Sequence, residues 1–185
     1  MQEKEKLDYC RVKKIFDKGY GFLTSLYHKE NVFFHFSGIK DHNVKEKLEN
    51  LQRGDLYFFY TSYEVEGKRK VKKLWLSLSD VEKDLLPEFE NKITEEFISG
   101  ETNPFEVAYV IKQLRVNEYL SDENFYKILS SQKIRKTPSL LKATLIENEA
   151  VYSDKIESLI DQLESNQIKF DDWFEKIATI LNLPH

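Results

Sequence analysis

Cysteine is nearly absent from this chain of 185 residues: the only one is Cys10. A lone thiol excludes an intramolecular disulfide framework and any structural zinc site built on several thiolates, and leaves Cys10 to act as a small buried apolar residue. Long hydrophobic runs are absent as well. No stretch approaches the roughly 18 apolar residues of a membrane span, so the sequence predicts no membrane partner. Met1 to Lys6 is polar and charged with no apolar segment behind it, and Leu183-Pro184-His185 carries no lipidation motif, so a cytoplasmic location is expected. Only six glycines and four prolines punctuate the chain, but they are unevenly used.

What the sequence does contain divides in two after Ser79. Residues 1–79 hold 16 Lys+Arg against 11 Asp+Glu, a net of +5, whereas residues 80–185 hold 12 against 21, a net of −9. The whole chain is acidic at −4, yet its first half carries the kind of local field that attracts polyanions. That first half is rich in aromatic and β-branched residues and reads as five short strands, at Tyr9–Phe16, Tyr20–Leu26, Val32–Phe36, Leu56–Glu64 and Lys70–Leu78. Glu66-Gly67-Lys68 marks a hairpin turn, and Val44–Gln52, charged and poor in strand formers, reads as the long connection between the third and fourth strands. Five strands in about 70 residues suits a small Greek-key barrel.

The second half changes period. Asn103-Pro104 supplies an N-cap and a first-turn proline, after which Val107, Val110, Ile111 and Leu114 mark one helix face. Further helical segments begin at Ser121, Thr137-Pro138, Ser153 and Asp171, and another spans about Val81–Ser99 with an interruption near Pro87. The expected architecture is therefore two-part: a five-stranded β-barrel over residues 1–79 and an all-α helical bundle over residues 80–185.

The most informative segments are Lys18-Gly19-Tyr20-Gly21-Phe22-Leu23 and Val32-Phe33-Phe34-His35-Phe36. Strand alternation sends Tyr20 and Phe22 to one face, and Phe33 and His35 to one face of the next strand, while Leu23, Val32 and Phe34 supply the opposite, apolar face. An aromatic platform facing water suits unpaired bases, which stack at about 1–3 kcal/mol each, with nearby lysines attracting phosphate. Gly19 and Gly21 are expected to leave room for bases between the rings.

In order and spacing these two segments resemble the two ribonucleoprotein motifs of the cold-shock domain family, whose barrel is an OB-fold, and the resemblance runs over about residues 9–79. It implies a single-stranded RNA- or DNA-binding protein, an RNA chaperone or a regulator of transcription or translation. Position by position it implies binding through Lys13, Lys18, Tyr20, Phe22, Phe33, His35 and Phe36, with Arg69 as the basic residue of the last hairpin. The family's first strand usually reads V-K-W-F, where this chain has Val12-Lys13-Lys14-Ile15 and a loop to Lys18 one residue shorter. The stacking Trp becomes Lys14, or Phe16 if the alignment slips. The aromatic often found after the second motif is here Val44.

No pattern points to catalysis, a cofactor or a metal. His35 sits at a strand position that favours stacking, His28 and His42 lack matching ligand spacing, and Asp171-Asp172 with Glu175 reads as acidic residues at a helix start. A nuclease subunit is a weaker rival without a carboxylate cluster. The other rival is a protein-interaction adaptor in which the helical half binds a protein partner or a second copy of itself, tethered to RNA by the barrel. Phe89, Phe97, Phe105 and Tyr109 are either surface anchors or core, and Lys133, Arg135, Lys136 and Lys142 form a basic stretch that would extend a nucleic-acid path. The sequence leaves the role of residues 80–185 open.

Overall fold

The computed structural model describes residues 3–11, 15, 16, 19–39, 41–49 and 57–183. Six strand segments form one mixed sheet: β1 (Asp8–Arg11), β2 (Ile15–Phe16), β3 (Tyr20–Leu23), β4 (Val32–His35), β5 (Tyr57–Val65) and β6 (Lys68–Trp75). Their order is β1-β5-β6-β4-β3-β2, antiparallel throughout except where β4 meets β6.

This order forces the sheet to curl. A flat sheet would separate its two edges, β1 and β2, by five strand spacings, about 24 Å. Yet Arg11 closes β1 and Ile15 opens β2, four steps of at most about 3.8 Å along the chain. The edges therefore come together as a half-barrel, and the first expected strand, Tyr9–Phe16, supplies both of them.

Alternating residues fill the interior. Cys10, Leu23, Val32, Phe34, Phe58 and Tyr60 form a buried cluster, with Phe36, Ile39, Val44, Val71, Leu74 and Leu76 packed around it. Its polar groups find partners: the Tyr60 hydroxyl donates to the Thr24 carbonyl (2.6 Å), and the Cys10 thiol accepts from the Thr24 amide (3.2 Å). The β5–β6 turn places Glu66 and Gly67 both at positive φ (51° and 76°), as a two-residue hairpin with right-handed strand twist requires.

The connection after β4 contains a helix the sequence did not announce, α1 (His42–Glu49). Asp41 caps it, its Oδ1 accepting from the amides of Asn43 (2.9 Å) and Val44 (3.4 Å). That cap, with Val44 and Leu48 four residues apart, is the local signal that strand propensity alone overlooks.

The chain divides into two compact units, residues 1–89 and 90–185, so the division falls after Phe89 rather than at the change of charge after Ser79. Packing explains the added residues. Leu78, Val81, Leu85, Leu86 and Phe89 are buried, and the Phe89 ring meets Phe59 of β5 edge-on at 6.1 Å. Glu88 pairs with Lys4 and Glu82 with Lys73.

From Leu86 onward the described chain is helical: α2 (Leu86–Ser99), α3 (Pro104–Val116), α4 (Asp122–Leu129), α5 (Gln132–Lys136), α6 (Leu140–Thr144), α7 (Ser153–Glu164) and α8 (Phe170–Ile180). Five of these have eight or more residues. Pro87 lies in the first turn of α2, where its missing N–H costs nothing, and short 3-10 turns precede it instead of an interrupted helix. Asn103 and Ser121 cap α3 and α4 through their side chains. Within this unit Arg115 is held by Glu149, by the Thr144 carbonyl (2.6 Å) and by the Phe125 ring (3.9 Å). Among the described residues no helix is long and apolar enough to cross a membrane.

Candidate functional site

β3 and β4 pair in the register Tyr20↔His35, Gly21↔Phe34, Phe22↔Phe33 and Leu23↔Val32. Because alternate residues point to opposite faces, this register sorts the side chains cleanly. Gly21, Leu23, Val32 and Phe34 are buried inward, and Tyr20, Phe22, Phe33 and His35 lie on the outer face. Phe22 is 47% exposed.

The three outer rings touch one another. Centroid separations are 6.2 Å for Tyr20–Phe22, 6.0 Å for Tyr20–Phe33 and 5.8 Å for Phe22–Phe33, with mixed tilted and edge-on geometry. Such contacts fix the rings against each other while leaving ring surface open to water. His35 completes the row. Its Nδ1 accepts from the Ser37 amide at 2.9 Å and lies 2.6 Å from the Ser37 hydroxyl, which fixes the ring's orientation. With Nδ1 accepting, the neutral ring carries its proton on Nε2, a donor on an exposed side chain.

Gly19 supports this edge in a way the expected spacing role does not capture. Its φ is +77°, and a Cβ there would stand 3.3 Å from the Phe36 ring. Its carbonyl accepts from the Phe36 amide at 2.8 Å. Gly21, buried opposite Phe34, does not separate the outer aromatics at all.

Two of the residues named from the resemblance lie elsewhere. Phe36 follows Phe34 by two positions and packs against the inner cluster, its ring 6.1 Å from that of Phe34. Arg69 is 8% exposed; its Nε donates to Ser62 (3.2 Å) and its guanidinium pairs with Glu3 (3.2 Å). The cause is register: Lys70, not Arg69, pairs with Phe33, so Arg69 points to the other face, where Glu3 meets it. Lys13, Lys14 and Lys18 lie outside the described residues. Val44, standing where an aromatic was expected from the resemblance, belongs to α1 and packs on the inner cluster.

Beside the platform, where β4 runs parallel to β6, a groove of about 780 Å³ opens. Phe33, His35, Tyr63, Lys70 and Trp75 are among the residues that line it. Its basic side chains differ in how far they are compensated. Lys73 pairs with Glu82 at 2.6 Å and approaches Glu5 at 3.7 Å, and Lys72 lies 3.6 Å from Glu5. The hydrogen bond from Lys73 to Glu82 holds that ammonium above its ordinary pKa. Burial acts to raise the Glu5 carboxyl, but the Thr61 hydrogen bond with Lys73 and Lys72 outweighs it and leaves the pKa below the usual value. Lys70 has no acidic partner among the described residues.

Three cations of the basic stretch in the helical unit have partners within that unit. Lys133 donates to the Gly100 carbonyl (2.9 Å), Lys142 pairs with Glu157 (2.7 Å), and Arg135 lies over the Phe170 ring (5.0 Å). Asp171 and Asp172 occupy the first turn of α8. Phe89 and Phe97 are core, whereas Phe105 is exposed. Among the described residues no three His, Cys, Asp or Glu side chains converge as a metal site.

Comparison with protein-family models, curated proteins and solved structures gives no match.

Proposed function

We propose that this chain binds single-stranded nucleic acid, stacking unpaired bases on Tyr20, Phe22 and Phe33 and drawing the phosphates with nearby lysines, and that its half-barrel is of the cold-shock, OB-fold type. The observation that carries this reading is the contact of three outward rings on paired strands whose opposite face is already filled by Leu23, Val32 and Phe34. The core does not need these rings, and leaving them in water is unfavourable without an occupant. Flat unpaired bases suit them, because every base has a π-face whatever its sequence. His35, oriented by Ser37, adds a hydrogen-bond donor at the end of the row.

The test is equilibrium binding of the full chain to labelled oligothymidylate, oligouridylate and a duplex of equal length, over a salt series. Both single strands are expected to bind more tightly than the duplex, and affinity should rise as salt falls although the chain's net charge is −4. Replacing Tyr20, Phe22 and Phe33 together by Ala should remove most of the binding, since each stack contributes about 1–3 kcal/mol. A triple variant that keeps its circular dichroism spectrum and its affinity contradicts the proposal.

A further inference from the structure

We propose that the binding face continues across the β4–β6 seam onto β5, where Tyr63 stacks a further base of the same strand and Lys70 holds one of the phosphates of the nucleotides that link the two. This rests on the single-strand reading above and extends it to two side chains outside the two motifs.

Register places these residues in one row. Phe33 of β4 pairs with Lys70 of β6, and Lys70 pairs with Tyr63 of β5. Residues paired across neighbouring strands project to the same face, and all three line the same groove. The row therefore runs from Phe22 through Phe33 and Lys70 to Tyr63, an aromatic pair followed by a cation and another aromatic.

Charge and exposure distinguish this row from a merely solvated edge. Lys72 and Lys73, on the same strand, are tied to Glu5 and Glu82, but Lys70 has no acidic partner among the described residues. Tyr63 is 41% exposed, although Phe58, Phe59 and Tyr60 of the same strand are core. A ring open to solvent beside an uncompensated ammonium reproduces the alternation of base and phosphate along a polynucleotide.

Distance makes the extension specific. Two strand spacings separate Phe33 from Tyr63, about 10 Å. Stacked neighbouring bases lie only about 3.4 Å apart. A base on Tyr63 is thus not the immediate neighbour of one on Phe33, and the path over Lys70 requires a longer strand than the β3–β4 platform alone.

The test uses the full chain and oligothymidylates graded in length over about 4–16 nucleotides. Tyr63→Ala should leave the shortest bound oligomer at wild-type affinity and weaken the longer ones about tenfold, with Tyr63→Phe restoring them. Lys70→Gln should reduce the slope of log affinity against log salt by about 0.7, the value of one phosphate contact on a single strand. In the wild-type protein, long oligomers should quench Trp75, which lines the groove, and short ones should not; Trp75→Phe identifies that signal against the buried Trp173. If Tyr63→Ala binds every length as wild type, or quenching is independent of length, the extension is overturned. The β3–β4 reading then still stands provided the Tyr20, Phe22 and Phe33 variant loses binding. If the wild-type chain binds no oligomer of any length, both fail together.

Discussion

A carboxyl that is 2% exposed, Asp8, ties the N-terminal strand to the chain that leaves β3. Its Oδ1 accepts from the amides of Tyr9 and Leu26, both at 2.8 Å, and its Oδ2 from the Ser25 hydroxyl. Burial raises its pKa above the ordinary carboxylate value, and the hydrogen bonds only partly offset that. The native state therefore holds a proton over a pH range in which the unfolded chain has lost it, so Asp8 favours the folded state more as pH falls from neutrality through the folded pKa toward the ordinary value. Asn at this position cannot titrate. The stability of wild type relative to Asp8→Asn, measured by urea unfolding at a series of pH values, is expected to increase as pH is lowered across that range. A difference that is flat or reversed in pH would show that Asp8 does not titrate as its burial requires. Nothing in the sequence singled out Asp8, because its partners are amides and a hydroxyl brought to it by the fold.

At the scale of elements, the entry into β3 depends on the backbone conformation of Gly19. Gly19 combines a φ of +77° with a Phe36 ring 3.3 Å from the position of a Cβ, whereas Gly38 has open space around it and no positive φ. Gly19→Ala should cost about 1–2 kcal/mol through the left-handed conformation alone, and more if the ring cannot give way, while Gly38→Ala should be neutral or slightly stabilising. Equal effects in denaturant unfolding would contradict this account of the turn. The faces of β3 and β4 were legible in the sequence because side chains alternate along a strand, so Tyr20 and Phe22, and likewise Phe33 and His35, must share a face once both segments are read as strands. The partner of Phe33 was not legible. A β-bulge between Thr61 and Ser62 shifts the pairing of β5 with β6, and the parallel contact between β4 and β6 joins residues far apart in sequence. Those two features set Lys70 outward and Arg69 inward, a distinction of one residue that motif spacing does not resolve. The helix α1 was obscured for a different reason: its charged composition resembles a loop unless the Asp41 cap is given weight.

For the whole molecule, the change in charge sign after Ser79 was plain from the sequence, but the compact units divide after Phe89. Charge follows surface residues, and the chain between the two positions contributes Val81, Leu85, Leu86 and Phe89 to burial that includes the β5 side chain Phe59. The aromatic character of the first unit is thus used twice, inward for packing and outward at Tyr20, Phe22, Phe33 and Tyr63. In the helical unit Lys133, Lys142 and Arg135 are held by a carbonyl, an acidic and an aromatic group of that unit, which favours the half-barrel as the proposed binding face. The most direct measurement is an NMR titration of the full chain with oligothymidylate, following aromatic side-chain and backbone amide resonances. The account predicts ring-current shifts at Tyr20, Phe22, Phe33 and His35, with the amides of residues 90–183 unmoved. Shifts confined to the helical unit, or an unchanged spectrum at saturating oligonucleotide, would contradict it.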